Sequence, residues 1–112
     1  MRPEVMKLLV DVRDAADAIV AFTDGKQLAD MTGDPMLRSA LYYQFVIIGE
    51  ALSQLRSVDI NVLETVTEYR RIIAFRNQVG HGYAKIDDEI TWRIVQDKVP
   101  VLRADTLRLL GE

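Results

Sequence analysis

The strongest constraint on the fold is an apolar stripe in the middle of the chain. Asp34 and Pro35 stand just before this stripe, and there a side-chain cap and a first-turn proline favour the start of a helix. The polar sequence Asp59-Ile60-Asn61 follows the stripe and should end the helix. The apolar residues of the stripe recur at steps of three and four, which is the repeat of one helix face. They are Leu37, Leu41, Phe45, Ile48, Leu52 and Leu55.

The same spacing predicts one long helix before the central helix and a last long helix near the end of the sequence. The first begins near Pro3 and stops at Thr23-Asp24-Gly25, and a short turn or helical piece is expected over roughly 26–32. The last opens at Asp87-Asp88-Glu89, because acidic residues favour a first helical turn. Pro100 should kink it, since proline has no backbone N–H to donate.

A third long helix is predicted from the apolar residues of segment 69–79. It is expected to fail near Gly80. Two sequences have the form of a capping box for its start, Thr65-x-x-Glu68 and Asn61-x-x-Glu64, and the pattern does not choose between them.

Together these segments predict one domain over residues 1–112, an all-α, up-and-down four-helix bundle with an extra short helix. No window alternates apolar and polar residues for long enough to predict a strand. Nearly half of the 112 residues are hydrophobic (49%), enough to fill a core, which argues against a disordered chain.

Composition also limits location and chemistry. The chain has no apolar run approaching the roughly 20 residues of a membrane span, and acidic residues in the first helix argue against a signal peptide, so we expect a cytoplasmic protein without membrane contact. Cysteine is absent, which excludes disulfides and thiolate zinc sites. His81 is the only histidine, which excludes a two-histidine metal site within one chain.

The predicted central helix carries apolar residues on more than one of its sides. Between Ala40 and Ile48 only Gln44 has a side chain of clear polar character. One face in the bundle core and another against a partner chain would explain this width. Enclosure of the helix within its own bundle explains it equally well, so the pattern leaves both arrangements open.

A basic segment interrupts this acidic chain, whose net charge is -3. Segment 69–86 has no aspartate or glutamate and contains the single histidine. Arg70 and Arg71 fit a solvated helix face as well as they fit a nucleic-acid surface. A third, Arg76, follows Ile73 by three residues and so continues the apolar face, where a guanidinium needs an anionic partner, either a carboxylate such as Glu50 or a phosphate. The cations are Arg70, Arg71, Arg76 and Lys85.

Arg76 and His81 are five residues apart, which on a straight helix places them about 140° from each other. If the helix ended at Gly80, His81 would lie on the following turn and be able to approach the Arg76 face. A structural histidine and a functional one are equally compatible with the local sequence.

The segment Arg76-Asn77-Gln78-Val79-Gly80-His81-Gly82-Tyr83 has the pattern R-x-x-x-x-H-x-Y and resembles the HepT-like branch of the HEPN-domain proteins. These are ribonuclease toxins paired with a minimal nucleotidyltransferase (MntA-type) antitoxin in type VII toxin–antitoxin systems. Ile47-Ile48-Gly49-Glu50-Ala51-Leu52 and the segment 92–102 resemble the central and last helices of the family, so that the resemblance covers roughly 8–110.

The resemblance implies a homodimer that cleaves RNA by attack of the ribose 2′-hydroxyl, without a metal or other cofactor. Its implied partners are the cognate nucleotidyltransferase antitoxin and an RNA substrate, with transfer RNA as one candidate. The implied roles are catalytic for Arg76 and His81, supporting for Asn77 and Glu50, RNA-binding for Arg70, Arg71 and Lys85, and acceptance of AMP from the antitoxin for Tyr83.

Two other functions fit the same residues. A non-catalytic HEPN module would bind a nucleotide or a nucleotidyltransferase in the same pocket without cleaving RNA. A dimeric helical adaptor would use the basic segment only to meet an acidic protein.

Overall fold

A computed structural model of the chain describes residues 1–81 and 86–112, which form an all-α bundle. The central helix α3 packs against α1 on one side and against α5 on another, and α7 packs against α1. This part of the chain contains no strand and no helix that is both long and apolar enough to cross a membrane. The helices are α1 (Pro3–Thr23), α2 (Leu28–Thr32), α3 (Pro35–Val58), α4 (Ile60–Leu63), α5 (Tyr69–His81), α6 (Asp88–Arg93) and α7 (Val99–Leu110), with a π-helical segment, Ile94–Lys98, between α6 and α7.

The predicted four-helix bundle is therefore confirmed. Its main helices are α1, α3, α5 and the continuous unit formed by α6, the π-helical segment and α7. The short helix α2 corresponds to the extra helix expected over 26–32. A second short helix, α4, was not predicted; the side chain of Asp59 caps it by accepting a hydrogen bond from the N–H of Val62.

Local sequence signals set the ends of the central helix as predicted. The side chain of Asp34 accepts a hydrogen bond from the N–H of Leu37 at 3.1 Å, and Pro35 is the first helical residue. The apolar stripe of α3 is buried throughout, and its most enclosed members are Leu41, Phe45, Ile48 and Leu52. Burial of this stripe between α1 and α5 contributes to the hydrophobic driving force for assembling the bundle.

Neither predicted capping box starts the third long helix. The hydroxyl of Thr65 donates to the carbonyl of Val62, and Asn61 lies inside α4. Glu68 has a φ of 53°, a left-handed backbone that ends any helix begun before it, so that α5 starts only at Tyr69. The Glu68 carboxylate accepts from the Nζ of Lys98 at 2.7 Å, which lowers the pKa of Glu68 and ties this turn to the π-helical segment.

Asp105 of α7 holds the turn that precedes α5. Its carboxylate accepts a hydrogen bond from the backbone N–H of Thr67 at 2.8 Å and another from the guanidinium of Arg108 at 3.0 Å. Burial alone would raise the pKa of Asp105, but these hydrogen bonds outweigh it and hold the pKa below its ordinary value. The ionised side chain therefore stabilises the fold.

The irregularity expected at Pro100 takes the form of the π-helical segment that precedes it. The N–H of Val99 donates to the carbonyl of Ile94, five residues back instead of four. Pro100 has no N–H for the carbonyl of Gln96, and its ring would crowd that carbonyl in a regular α-helix. The wider turn accommodates the ring, and the chain continues into α7 without a break.

We predict that Asp105→Asn lowers the free energy of unfolding by about 2 kcal/mol at pH 7, because the charge-assisted hydrogen bonds are weakened. The pKa of Asp105 is lowered in the folded state. Its contribution is therefore complete above the ordinary aspartate pKa of about 3.9 and is lost as the pH falls through the folded-state value. Urea unfolding over a pH series should show the difference from the unmodified protein shrinking in acid.

The control is Asp11→Asn, which removes an exposed ion pair with Lys7 and should change stability by no more than about 0.5 kcal/mol. An Asp105→Asn effect that is equally small at pH 7 would contradict the anchoring role.

Candidate functional site

Helices α3 and α5 run antiparallel and meet along most of the length of α5. The rings of Phe45 and Phe75 pack edge to face with their centroids 5.0 Å apart. Further along α3, the guanidinium of Arg56 lies 6.0 Å from the centre of the Tyr69 ring, near the start of α5. The two helices are thus held together by aromatic contacts at the middle and at one end.

Helices α3 and α5 approach closely at Gly49. A Cβ atom at this position would lie 2.4 Å from both Cβ and Cγ of Arg76, far inside van der Waals contact. The aliphatic stem of Arg76 therefore lies directly on the backbone of α3, in space that only glycine leaves open. A glycine inside a helix costs about 1 kcal/mol relative to alanine, and this cost was the sequence signal that Gly49 had a packing role.

Arg76 is half-buried by this contact, as its place on the apolar face predicted. Its Nη1 donates a hydrogen bond to Oδ1 of Asn77 at 2.9 Å. No ion pair joins Arg76 to a carboxylate in residues 1–81 and 86–112, and Glu50, next to Gly49, is exposed. In this structure the guanidinium bonds to the neighbouring amide and not to Glu50, and the supporting role predicted for Glu50 stays a prediction.

This arrangement fixes the position of Arg76 while leaving it suited to an anion. Packing on Gly49 restrains the stem, and Asn77 takes one of the five N–H groups of the guanidinium. The planar fork matches two oxygens of a phosphate, which a lysine would contact only as a point charge. Asn77 thus has the geometry of the supporting role predicted for it, and that role stays a prediction.

His81 occupies the last position of α5 and is exposed. Helix α5 extends to His81, one residue past Gly80, near which its end was expected, and the φ of Gly80 is not left-handed. Arg76 and His81 therefore belong to one helix and lie about 140° apart around it. The stem of Arg76 lies against α3, and its guanidinium bonds to Asn77, which lies one turn before His81 on the exposed side of α5.

The outward side of α5 carries an exposed stripe, here the outward stripe, of three polar residues and one alanine: Arg70, Ala74, Asn77 and His81. These residues follow one another at steps of four, three and four and are all exposed. Arg71 is exposed beside the stripe, as predicted for a surface cation. Tyr83 and Lys85 lie outside the described residues, so their predicted roles are untested.

Comparison with known proteins decides the family. Residues 12–109 match the model of the family described as Ribonuclease HepT-like. The chain belongs to this family. The resemblance drawn from the R-x-x-x-x-H-x-Y segment is thereby confirmed, and it spans nearly the whole chain.

Curated relatives of this HepT-like chain carry ribonuclease names. "Putative RNase MJ1380" of Methanocaldococcus jannaschii is 26% identical over 102 residues, which cover 91% of this chain and 93% of the relative. "Probable ribonuclease HepT" of Thermococcus cleftensis is 26% identical over 95 residues, covering 85% and 86%. No solved structure matches the chain.

We predict that Gly49→Ala lowers the free energy of unfolding by about 1–3 kcal/mol, because the new methyl group must push the Arg76 stem or the whole of α5 away from α3. Gly80→Ala is the matched control. Gly80 is helical and exposed, and a Cβ there meets nothing within 4 Å. Alanine at this position should stabilise the helix by about 0.5–1 kcal/mol.

Urea unfolding of the two variants measures this contrast. Equal stability changes in Gly49→Ala and Gly80→Ala would show that α3 and α5 do not depend on their close approach at Gly49.

Proposed function

We propose that this HepT-like chain is the ribonuclease toxin of a type VII HepT/MntA-like toxin–antitoxin pair. In this proposal it cleaves RNA without a metal, through attack of a ribose 2′-hydroxyl on the adjacent phosphate. The observation that supports this function best is Arg76, which is held by Gly49 and Asn77 on the helix that ends in the only histidine. The family to which the chain belongs supports the same reaction class.

Each part of the reaction has a candidate side chain. The 2′-oxygen forms a bond to phosphorus as the bond from phosphorus to the 5′-oxygen breaks, which leaves a 2′,3′-cyclic phosphate and a 5′-hydroxyl. The fork of Arg76 stabilises the charge that develops on the phosphoryl oxygens. Histidine exchanges protons near neutral pH, so His81 is the candidate to take the proton from the 2′-hydroxyl or to give one to the leaving 5′-oxygen.

A second copy of the chain resolves two mismatches. The reaction needs a base and an acid, but one chain has one histidine. The side chains of Arg76 and His81 also leave α5 in directions about 140° apart. In a two-fold homodimer, His81 of one copy is placed beside Arg76 of the other, and the two imidazoles divide the proton transfers.

The outward face of α3 is the proposed dimer surface. Met36 and Tyr43 are its most exposed large apolar residues, with 83% and 65% of their surface accessible. Ile47, on the same helix, is less exposed and packs partly against the core. A charge at Ile47 would therefore disturb the fold as well as an interface, and Tyr43 is the cleaner position to change.

We predict that His81→Ala slows RNA cleavage by about 10²–10⁴-fold, because general acid–base catalysis contributes that much, and that it abolishes growth inhibition while the helical fold is kept. Arg76→Ala should have at least as large an effect. Arg76→Lys keeps an aliphatic stem against Gly49 and a positive charge at its end. It should remain strongly impaired because the planar guanidinium is lost.

Cleavage of RNA by the purified protein with a chelator present, together with detection of a 2′,3′-cyclic phosphate end, measures these effects. Arg103→Ala, on the face shared by α7 and α1, is the control with the same loss of charge. Full activity in folded His81→Ala would refute the proposed chemistry, and RNA binding without cleavage by the unmodified protein would favour a non-catalytic module.

We predict that Tyr43→Glu converts the dimer to a monomer of 12.7 kDa and removes RNA cleavage. Burying an unpaired carboxylate at an interface is unfavourable, whereas the exposed position leaves the monomer fold intact. Light scattering gives the mass. Met6→Glu, an equivalent change at an exposed position of α1, should remain dimeric. An unmodified protein of monomer mass would contradict the shared site.

The antitoxin is proposed to silence the site through Tyr83. The phenolic oxygen forms a bond to the α-phosphorus of ATP as the bond from that phosphorus to the bridging β-phosphate oxygen breaks, so that pyrophosphate leaves and the phenolic proton passes to solvent. In the sequence Tyr83 follows His81 by two residues, so each AMP would add a phosphodiester charge and a bulky nucleoside close to the catalytic histidine. The phosphate would compete with RNA for Arg76.

We predict that the protein gains the mass of one or more AMP units when it is produced with its cognate nucleotidyltransferase, and that Tyr83→Phe does not. Intact-mass spectrometry makes the measurement. Tyr43→Phe, at an exposed tyrosine of α3, is the control and should be modified normally. Tyr83→Phe that is neutralised as fully as the unmodified toxin would show that the antitoxin acts by binding alone.

A further inference from the structure

A second cationic cluster lies at the opposite end of α5 from His81. The guanidinium of Arg70 is 5.1 Å from the centre of the Tyr69 ring, and that of Arg56 is 6.0 Å from the same centre. The two arginines come from different helices, and only the antiparallel packing of α3 on α5 brings them to one ring. Tyr69 itself is buried, so the ring is a fixed platform beneath two exposed side chains.

These two arginines differ from most cations of the described chain, which sit in ion pairs. Neither Arg56 nor Arg70 forms an ion pair with any carboxylate of residues 1–81 and 86–112. The hydroxyl of Tyr69 donates to Glu64 at 3.4 Å, so the nearby acid contacts the edge of the platform and not the guanidinium groups. The paired cations are Arg2, Lys7, Arg13, Arg38, Lys98, Arg103 and Arg108.

An aromatic face orients a guanidinium without using its N–H groups. The attraction acts between the cation and the ring quadrupole, which leaves the donors at the edge of the guanidinium for an anion. Two such groups beside one buried ring, both on exposed side chains, make a site suited to the oxygens of a phosphodiester.

The cluster also has a fixed distance from the proposed catalytic end. Arg70 and His81 are eleven residues apart on one helix and belong to the same outward stripe. Their separation along the helix axis is about 16 Å, at about 1.5 Å per residue. A strand with stacked bases, rising about 3.4 Å per nucleotide, covers that distance in about five nucleotides, and a more extended strand covers it in fewer.

We propose that Arg56 and Arg70, supported by the Tyr69 ring, form a second phosphate-binding site for single-stranded RNA, a few nucleotides from the bond that is cut. The inference rests on the proposed function, since it takes RNA as the substrate. This site sets how the strand is aligned along α5 and favours RNA long enough to reach both ends of the helix.

The test measures binding without cleavage. The probes are 2′-O-methyl RNA strands, which lack the attacking hydroxyl: one of about 12 nucleotides, longer than the span of the stripe, and one of about three nucleotides, shorter than it. The variants are Arg56→Gln with Arg70→Gln, introduced together in the full chain. Arg103→Gln, whose partner is Asp17 of α1, is the control for charge alone.

We expect the double variant to bind the long strand about tenfold or more weakly, because two charge-assisted contacts are lost, and to bind the short strand as the unmodified protein does. For the long strand, the slope of the logarithm of the binding constant against the logarithm of the salt concentration should become shallower by about 0.7 for each lost phosphate contact. Unchanged binding of the long strand, or an equal loss in Arg103→Gln, would overturn the second site.

Cleavage of an unmodified long strand separates this inference from the proposed function. If the unmodified protein binds the long strand through Arg56 and Arg70 but does not cut RNA, the nuclease proposal fails and the second site remains. If it cuts RNA while the double variant shows no change in KM for long substrates, the second site fails and the nuclease proposal remains. Failure of the unmodified protein both to bind either strand and to cut RNA overturns both.

Discussion

The contact between the Gly49 backbone and the Arg76 stem is the constraint on which the rest of the site depends. It sets the separation of α3 and α5, and through that separation it allows the edge-to-face packing of Phe45 and Phe75. It also converts a long, flexible side chain into one with few accessible rotamers. Much of the entropy that a free arginine would lose on meeting a phosphate is therefore lost already when the protein folds.

Helix α5 combines two tasks that proteins often divide between elements. Its inner side, with Tyr69, Ile72, Ile73 and Phe75, completes the hydrophobic core. Its outer side is polar and free of acidic residues. Because the candidate residues lie on a core helix and not on a loop, helix geometry sets the spacing of their Cα atoms at about 1.5 Å per residue.

Much of the fold was predictable because the decisive signals are local. Pro3, Asp34 and Pro35 act within one turn of the helices they begin, and the apolar period of α3 reports its own buried face. The start of α5 was not predictable, because the left-handed backbone of Glu68 is held by contacts with distant parts of the chain. Lys98 lies thirty residues further on, and Asp105 binds the adjacent turn from α7.

The candidate site, too, was predictable from the sequence only in part. The half-buried position of Arg76 followed from the helical period. Its partner did not, because Glu50 and Asn77 are both plausible in sequence and only the packing of α3 on α5 selects the amide. The meeting of Arg56 with Tyr69 joins residues thirteen apart through two helices and a turn, and no local pattern encodes it.

The π-helical segment before Pro100 has a consequence for how this helix can vary among relatives. A turn closed by an i→i+5 hydrogen bond contains one residue more than an α-helical turn, which is closed by an i→i+4 hydrogen bond. Deleting one residue from Ile94–Lys98 would restore the ordinary spacing and leave the face that α7 turns to α1 nearly unchanged. A chain without the proline would have no need of the extra residue. Alignments of this helix should therefore open a single-residue gap beside this segment where the proline is absent, instead of shifting the apolar pattern of α7 by one position.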